Sequence, residues 1–256
     1  MSSWIGMKII ISPAKKMNLC DDVMNTDQRP VFQEEMEVLF HCLRQMSYEE
    51  LKTLWCCNDK IAQLNYERLK NWESVRRNTP ALLAYEGIQY QYMAPQVFTN
   101  KQWDYANHYL RIISGLYGVL RPMDGVAPYR LEMQARLHAD GKHNLYEFWG
   151  DKIFRELTSG EDEILNLASK EYSKTVERYL GRYPGKSIRY ISCIFGELSQ
   201  SIVKVKATQA KMARGEMVRW MAETYVEDLE DVKEFTGLGY EYCPDYSTGY
   251  EYVFLK

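Results

Sequence analysis

Short apolar runs alternate with helix-like patterns along this chain. Four runs have the length and the isoleucine-rich content of buried strands, and they lie at residues 7–12, 110–114, 164–168 and 188–195. Apolar residues three or four positions apart predict helices at residues 31–43, 61–69 and 145–157. The alanine, methionine and charged content of residues 206–225 predicts a further, long helix. Residues 240–242 and 250–254, separated by Pro244 and Gly249, predict a hairpin. Because strands and helices alternate, we predict an α/β fold with a mixed sheet and flanking helices.

Helix starts and domain limits can be read from polar residues. Ser47 with Glu50 and Thr99 with Gln102 have the spacing of a capping box, in which each side chain of the pair bonds the other's backbone N–H. No Gly/Ser-rich linker, repeat or low-complexity tract interrupts the chain. We therefore predict an N-terminal extension at residues 1–6, ahead of Met7, and a single domain over residues 7–256.

Polar residues follow three of the predicted strands. In open α/β sheets ligands bind beyond the carboxyl ends of strands, where loops and helix starts present polar groups. If these strands are parallel neighbours, six residues would converge on one cleft suited to an anionic or nucleotide-like ligand: Ser12, Lys15, Ser114, Tyr117, Asn166 and Ser169. The alternative is that the serines and glycines here only form turns and caps.

Two further segments concentrate cations. The stretch 121–136 holds Arg121, Arg130 and Arg136, whose guanidinium forks suit phosphates. Arg130 or Arg136 could equally pair with Asp124, Glu132 or Asp151 as a structural tie. Lys211 and Arg214 lie on one face of the predicted helix 206–225, which could track phosphates or be a solvated face. Gly215 inside that helix is unfavourable relative to alanine, so we expect a close backbone approach there.

Composition narrows the classes of function. The net charge is −3, yet residues 170–219, which include Lys174, hold eleven basic and four acidic residues, so a basic face is possible. No run is long enough to span a bilayer, and no membrane partner is predicted. Six cysteines without a C-x-x-C pair favour reduced thiols in the cytoplasm. We expect Cys56 and Cys57, which adjoin apolar residues, to be buried.

Motifs of common catalytic and cofactor sites are absent from the sequence. There is no phosphate loop, dinucleotide fingerprint, zinc-protease helix or nucleophile elbow. The four histidines have no metal-ligand spacing with another His, Cys or carboxylate. We therefore predict no cofactor and no metal site, and we assign no catalytic residue.

Six segments, in the same order, closely resemble the YaaA peroxide-stress family. They are IISPAK at 10–15, LRIISGLYGVLRPMD at 110–124, PYRLEM at 128–133, LYEFWGDKI at 145–153, NLASKEYSK at 166–174 and KMARGEMVR at 211–219. The resemblance implies a cytosolic bacterial protein that protects cells against hydrogen peroxide by limiting unincorporated iron. It also implies one compact α/β domain of unusual topology with a positively charged cleft, a helix-hairpin-helix element and DNA binding. Two residues beside the expected cleft depart from the family pattern, Lys16 and Gln134.

Two hypotheses of function follow. In the first, the protein binds duplex or branched DNA without catalytic turnover, through the basic cleft. In the second, it is an enzyme or a binder that acts on a nucleotide- or nucleobase-like small anion. Lys15 would then hold the anion, Tyr117 would stack or donate, and Glu171 or Asp124 would be the acid or base. Direct chelation of iron has the least support, because no cluster of suitable ligands is visible.

Overall fold

The apolar run that begins at Met7 forms the central strand of a mixed sheet. The computed structural model describes residues 6–20, 24–183 and 187–256. The strands are β1 Met7–Ile11, β2 Lys16–Met17, β3 Thr79–Pro80, β4 Tyr85–Glu86, β5 Leu110–Ser114, β6 Gly118–Leu120, β7 Gly125–Val126, β8 Glu163–Leu167, β9 Arg189–Ser199, β10 Ile202–Lys204, β11 Glu241–Tyr242 and β12 Glu251–Leu255.

Helices pack around this sheet. They are α1 Gln33–Gln45, α2 Tyr48–Trp55, α3 Asp59–Lys70, α4 Ala81–Ala84, α5 Ile88–Met93, α6 Asn100–Tyr109, α7 Leu145–Trp149, α8 Lys152–Leu157, α9 Lys170–Glu177 and α10 Ala207–Thr224. Within the described ranges, no helix is both long and apolar enough to cross a membrane.

The main sheet has eight strands in the order β11-β12-β9-β8-β1-β5-β6, with β10 paired to β9. β1 is parallel to both β5 and β8, and β9 is parallel to both β8 and β12. β6, β10 and β11 add antiparallel strands. All five residues of β1 are buried, because parallel strands are covered on both faces. The prediction of one α/β domain with a mixed sheet and flanking helices is confirmed.

Several local predictions are confirmed as well. Both capping boxes form, at Ser47 and at Thr99. The predicted hairpin is the antiparallel pair β11–β12. Of the predicted extension at residues 1–6, residues 1–5 lie outside the described residues. Gly6 accepts backbone hydrogen bonds from Asp162 and Glu163 through its carbonyl oxygen.

Two local predictions are wrong. The single helix predicted for residues 145–157 is two helices, α7 and α8, because Gly150 has a left-handed φ of 51° that ends α7. Cys56 is exposed, since it occupies the left-handed C-cap of α2 with a φ of 44°, and Cys57 is only partly buried. The apolar neighbours of these cysteines point to the core; the helix end turns Cys56 away from it.

The helix pair α5 and α10 forms one side of the functional region. A Cβ on Gly215 would come within 2.0 Å of the backbone oxygen of Gln89 and 3.1 Å of the backbone nitrogen of Met93. Only glycine lets the two helices approach this closely. The predicted close approach at Gly215 is confirmed, and it brings α10 beside the loop that follows β1.

Candidate anion-binding site

A cavity lies at the carboxyl ends of β1 and β8. Its volume is about 390 Å³, and its walls come from five places: the loop after β1, the start of α5, the loop around Arg130, the start of α9, and α10. Buried tyrosines contribute to its lining, including Tyr90 and Tyr172, whereas Lys15 and Lys211 are exposed at its mouth. The lining is thus apolar and aromatic inside and cationic towards solvent.

Two serines tie the strand ends together at this cavity. The Oγ of Ser12 donates to the Oγ of Ser169 at 3.2 Å and accepts from the backbone N–H of Ser169 at 2.8 Å. The hydroxyl of Tyr90 donates to the backbone oxygen of Ser12 at 2.9 Å. These bonds hold the loop after β1 between the start of α9 and helix α5, so the cavity has a fixed shape.

One carboxylate serves two of the cations. Glu132 contacts the Nζ of Lys15 at 3.0 Å through one oxygen and the Nη2 of Arg130 at 3.0 Å through the other. Arg130 also donates to the backbone oxygen of Trp55 at 3.3 Å. Lys16 has its own partner, Glu86, at 2.5 Å. Because Glu132 is shared, its single negative charge leaves part of the charge of Lys15 and Arg130 uncompensated.

Two cations of α10 have no partner at all among the described residues. Neither Lys211 nor Arg214 makes a hydrogen bond or ion pair there, although both line the cavity. Burial lowers the pKa of the Arg214 guanidinium. The nearby thiol of Cys193 does not neutralise it, because burial raises the pKa of that thiol well above its usual range and keeps it protonated.

Glu171, on the first turn of α9, is an acidic residue of the cavity wall. Burial is the main cause that raises its pKa above the ordinary 4.5. The backbone N–H of Gln134, which donates to Glu171 at 3.2 Å, and the charge of Lys15 act in the opposite direction. A carboxyl group whose pKa is raised by burial can donate a proton nearer to neutral pH.

The described residues form no group of three or more His, Cys, Asp or Glu side chains that could hold a metal ion.

Comparison with known proteins gives the family. The family model described as peroxide stress protein YaaA matches residues 7–246. The chain is 53% identical over 250 residues to a UPF0246 protein of Desulfitobacterium hafniense, covering 98% of each chain. It is 49% identical to a UPF0246 protein of Agathobacter rectalis, covering 98% of this chain and 99% of the relative.

The chain belongs to the YaaA peroxide stress protein family.

Of the twelve residues predicted to bind anions in this YaaA-family chain, the cavity brings together six. They come from four separate segments: Ser12, Lys15, Arg130, Ser169, Lys211 and Arg214. The parallel order of β8, β1 and β5 explains why the first strand end and the NLASKEYSK segment meet. That these residues bind an anion stays a prediction.

Three other predicted residues lie beneath the cavity and do not line it. Ser114 is fully buried, where its Oγ pairs with the Tyr129 hydroxyl at 2.6 Å and accepts from the backbone N–H of Tyr117. Tyr117 is also buried, with its hydroxyl accepting from the Ala127 N–H. Asn166 bonds Ser192 and the backbone of Ala168. These polar groups are satisfied internally, so they support the site from behind.

The SGLYG segment of the YaaA family therefore has a structural role here. A Cβ on Gly115 would come within 2.4 Å of the backbone oxygen of Leu131. The carbonyl of Gly115 accepts from the indole N–H of Trp149 at 2.9 Å. Through these contacts the segment holds the loop that carries Arg130 and Glu132 against the end of β5.

The remaining three predicted residues lie elsewhere. Arg121 pairs with the buried Asp124 at 2.8 Å, a structural tie that sequence reasoning had considered only for Arg130 and Arg136. Arg136 lines a neighbouring groove of about 810 Å³ that also contains Cys56 and shares only Glu132 with the cavity. The Nζ of Lys174 lies 5.0 Å from the ring centre of Tyr146.

Sequence reasoning missed Glu86 and Gln89, two polar residues of the cavity. Gln89 is the more informative of the two. It is 6% exposed, and its amide makes no hydrogen bond to any described residue. Nothing in the segment IQYQYM signals a site, because its position depends on how α5 packs against α10. Sequence reasoning also missed three tyrosines of the cavity wall, Tyr90, Tyr129 and Tyr172. Of these, Tyr129 belongs to the segment PYRLEM quoted above.

Proposed function

We propose that this protein acts in the response to peroxide stress by binding DNA at the cationic mouth of the cavity. The observation that carries the proposal is the convergence of five cations from distant segments on one opening: Lys15, Lys16, Arg130, Lys211 and Arg214. Three of them are exposed lysines, which suit contacts to backbone phosphates on a surface. Such contacts are tolerant of sequence and weaken with salt.

The test is the salt dependence of binding to duplex and branched DNA. Each phosphate contact contributes about 0.9 to the slope of log affinity against log salt on duplex DNA. Lys211→Gln should therefore lower affinity and reduce that slope by about 0.9. The matched control is Lys60→Gln, an exposed lysine of α3 outside the cavity. A slope unchanged by Lys211→Gln, or affinity independent of salt, would contradict the proposal.

Under the same proposal, the limitation of unincorporated iron is an indirect consequence of what the protein does in the cell. A ferrous ion bound directly at this cavity would face repulsion from its cationic lining. The proposal therefore assigns the iron effect to a route other than chelation by these residues. Cellular iron measured with the Lys211→Gln variant tests the link, since the variant should limit unincorporated iron less as its affinity for DNA falls.

A second candidate function is favoured by the size of the cavity. A volume of about 390 Å³ falls in the range of small-molecule sites, roughly 300–1,000 Å³. In this case the protein binds, or acts on, a nucleotide-like anion, and Glu171 is the carboxyl group placed to exchange a proton. Thermal stabilisation by a panel of nucleotides and nucleobases is the test, and a flat response would exclude this candidate.

A further inference from the structure

Arg214 is a charge that the described protein does not neutralise. Arg214 is partly buried in the cavity wall, its Nε is inaccessible to solvent, and no described residue gives it a hydrogen bond or ion pair. Burying a charge without a partner is strongly unfavourable. The thiol of Cys193 is protonated and offers no negative charge. A fold that keeps such an arginine at the edge of a cavity leaves its charge available to an external anion.

Unused donors from two other elements line the same cavity. The amide of Gln89 on α5 has no partner in the described part of the chain, and neither has the Nε of Arg130 in the loop after β7. With Arg214 on α10, three elements each contribute an unsatisfied donor group. Buried donors cost free energy when they remain unpaired. A ligand group that carries several acceptor oxygens is the kind of partner that these donors lack.

The charge of the lining sets the charge of that ligand. Five cationic and three anionic side chains line the cavity, which leaves +2 when all are ionised. A phosphate monoester carries three terminal oxygens and close to two negative charges near neutral pH. A backbone phosphodiester has one charge and two free oxygens, and a carboxylate has one charge and two oxygens.

We propose that the cavity binds a phosphate monoester, with Arg214 and Lys211 as its principal cations and Gln89 as an additional donor. The proposal rests on the second candidate function and names its ligand class. The rings of Tyr90, Tyr129 and Tyr172 line the remaining wall, and aromatic side chains of this kind stack with nucleobases. The monoester is either a free mononucleotide or the phosphorylated end of a DNA strand.

The experiment is calorimetric titration of the full chain with four probes. They are thymidine 5′-monophosphate, thymidine, a single-stranded oligonucleotide with a 5′-phosphate, and the same oligonucleotide with a 5′-hydroxyl. We expect a phosphate-bearing probe to bind at least about ten-fold tighter than its phosphate-free counterpart, the effect of one charge-assisted hydrogen bond. Tight binding of the monophosphate assigns the free nucleotide as a source, and tight binding of the phosphorylated oligonucleotide alone assigns the strand end.

Equal binding of both members of each pair would overturn the proposal, even if the protein binds nucleosides or DNA. That result would leave the two functions above standing, so the failures are distinguishable. Absence of binding by all four probes would overturn both this proposal and the second candidate, and would leave salt-dependent binding of duplex DNA as a separate question.

Variants separate a ligand-binding arginine from a structural one. Arg214→Met should lower affinity for the phosphate-bearing probe by about ten- to a hundred-fold. It should leave the melting temperature of the ligand-free protein unchanged or higher, because it removes an unpaired buried charge. The control is Arg219→Met on the same helix, where Arg219 pairs with Glu223 outside the cavity. Lys211→Gln, at an exposed position, gives a second reading of affinity; unchanged affinity in both cavity variants would refute the assignment.

Discussion

The two ends of the parallel strands carry charged clusters that are neutralised in different ways. At the amino ends, the Nζ of Lys8 lies 2.6 Å from Glu161, and Arg189 contacts both Glu163 and Glu230. At the carboxyl ends, Glu132 is shared by two cations. Lys211 and Arg214 there have no partner in the part of the chain that the structure describes.

This difference distinguishes charged groups that stabilise the fold from charged groups that are available to bind a ligand. A buried cation with its own carboxylate is internally compensated, and removing either partner leaves an unpaired charge. A buried cation without a carboxylate already bears that cost, so its removal should not destabilise the fold. Charge alone does not mark a binding site; the absence of an internal partner is the more informative property.

The largest expected effect is on the amino-end pair. Glu161→Gln leaves Lys8, whose side chain is 9% exposed, without a counter-charge. We expect a loss of about 3 kcal/mol in the free energy of unfolding, the scale for breaking a buried pair. Urea denaturation measures it. The control is Glu223→Gln, which removes an exposed i,i+4 pair and should cost about 0.5 kcal/mol or less.

The same variant has a pH dependence of known sign. Burial is the main cause that lowers the pKa of Lys8 below 10.5, and the hydrogen bond that Lys8 donates to Glu161 opposes it. Without Glu161 the folded state releases this proton at lower pH than the unfolded state does. Stability of the variant should therefore recover as pH rises towards 10.5. A loss that stays constant over alkaline pH would show that Lys8 is not the group responsible.

A smaller effect is expected at the helix contact that shapes the carboxyl-end cavity. Alanine normally favours a helix over glycine by about 1 kcal/mol. At Gly215, however, a Cβ would lie 2.0 Å from the backbone oxygen of Gln89, so α10 must move away from α5. We expect Gly215→Ala to destabilise by about 1–3 kcal/mol, as overpacking does.

The matched control for this contact is Gly249→Ala. A Cβ on Gly249 would meet no heavy atom within 4 Å. Chemical denaturation of both variants should show a loss only for Gly215→Ala. Calorimetry should also show weaker binding of the monophosphate, because Arg214 and Gln89 lie on the two helices that move. A stabilised Gly215→Ala variant would mean that the helices are not in close contact.

Local features of the fold were predictable from the sequence. The strand at Met7 and the capping boxes at Ser47 and Thr99 depend on neighbouring residues, and their patterns are sufficient. Gly215 was also informative, because glycine inside a helix is unfavourable unless packing requires it. The helix break at Gly150 was missed, since apolar spacing continues through it and only the backbone conformation shows the break.

The candidate site was only partly predictable, because it depends on contacts between distant segments. Lys15 and Arg214 were found as cations near a strand end and on a basic helix face. Ser114 ends β5 and Tyr117 follows it, yet their hydroxyls are hydrogen-bonded to Tyr129 and to the Ala127 backbone. A sequence shows where polar groups lie along the chain; which of them remain unsatisfied after folding is a property of packing.

The smallest expected effect concerns Glu171, a carboxyl group of the cavity whose pKa is raised. Burial raises the pKa of Glu171 above 4.5, so the folded state holds this proton to higher pH than the unfolded state does. Stability contributed by the protonated form is present below pH 4.5 and is lost as pH rises through the folded pKa. A glutamine at this position cannot titrate. The free energy of unfolding of Glu171→Gln should therefore equal that of the wild-type protein in acid and exceed it by about 0.5 kcal/mol at neutral pH. Melting temperatures across this pH range measure the difference, with Glu67→Gln on α3 as the exposed control.

Glu171→Gln also removes a negative charge from the cavity that holds the unpaired cations, so affinity for the monophosphate should rise a few-fold. A stability difference independent of pH would show that the titration of Glu171 does not cause it, and weaker binding of the anion would show that the ionised Glu171 stabilises the cavity as a partner of its cations.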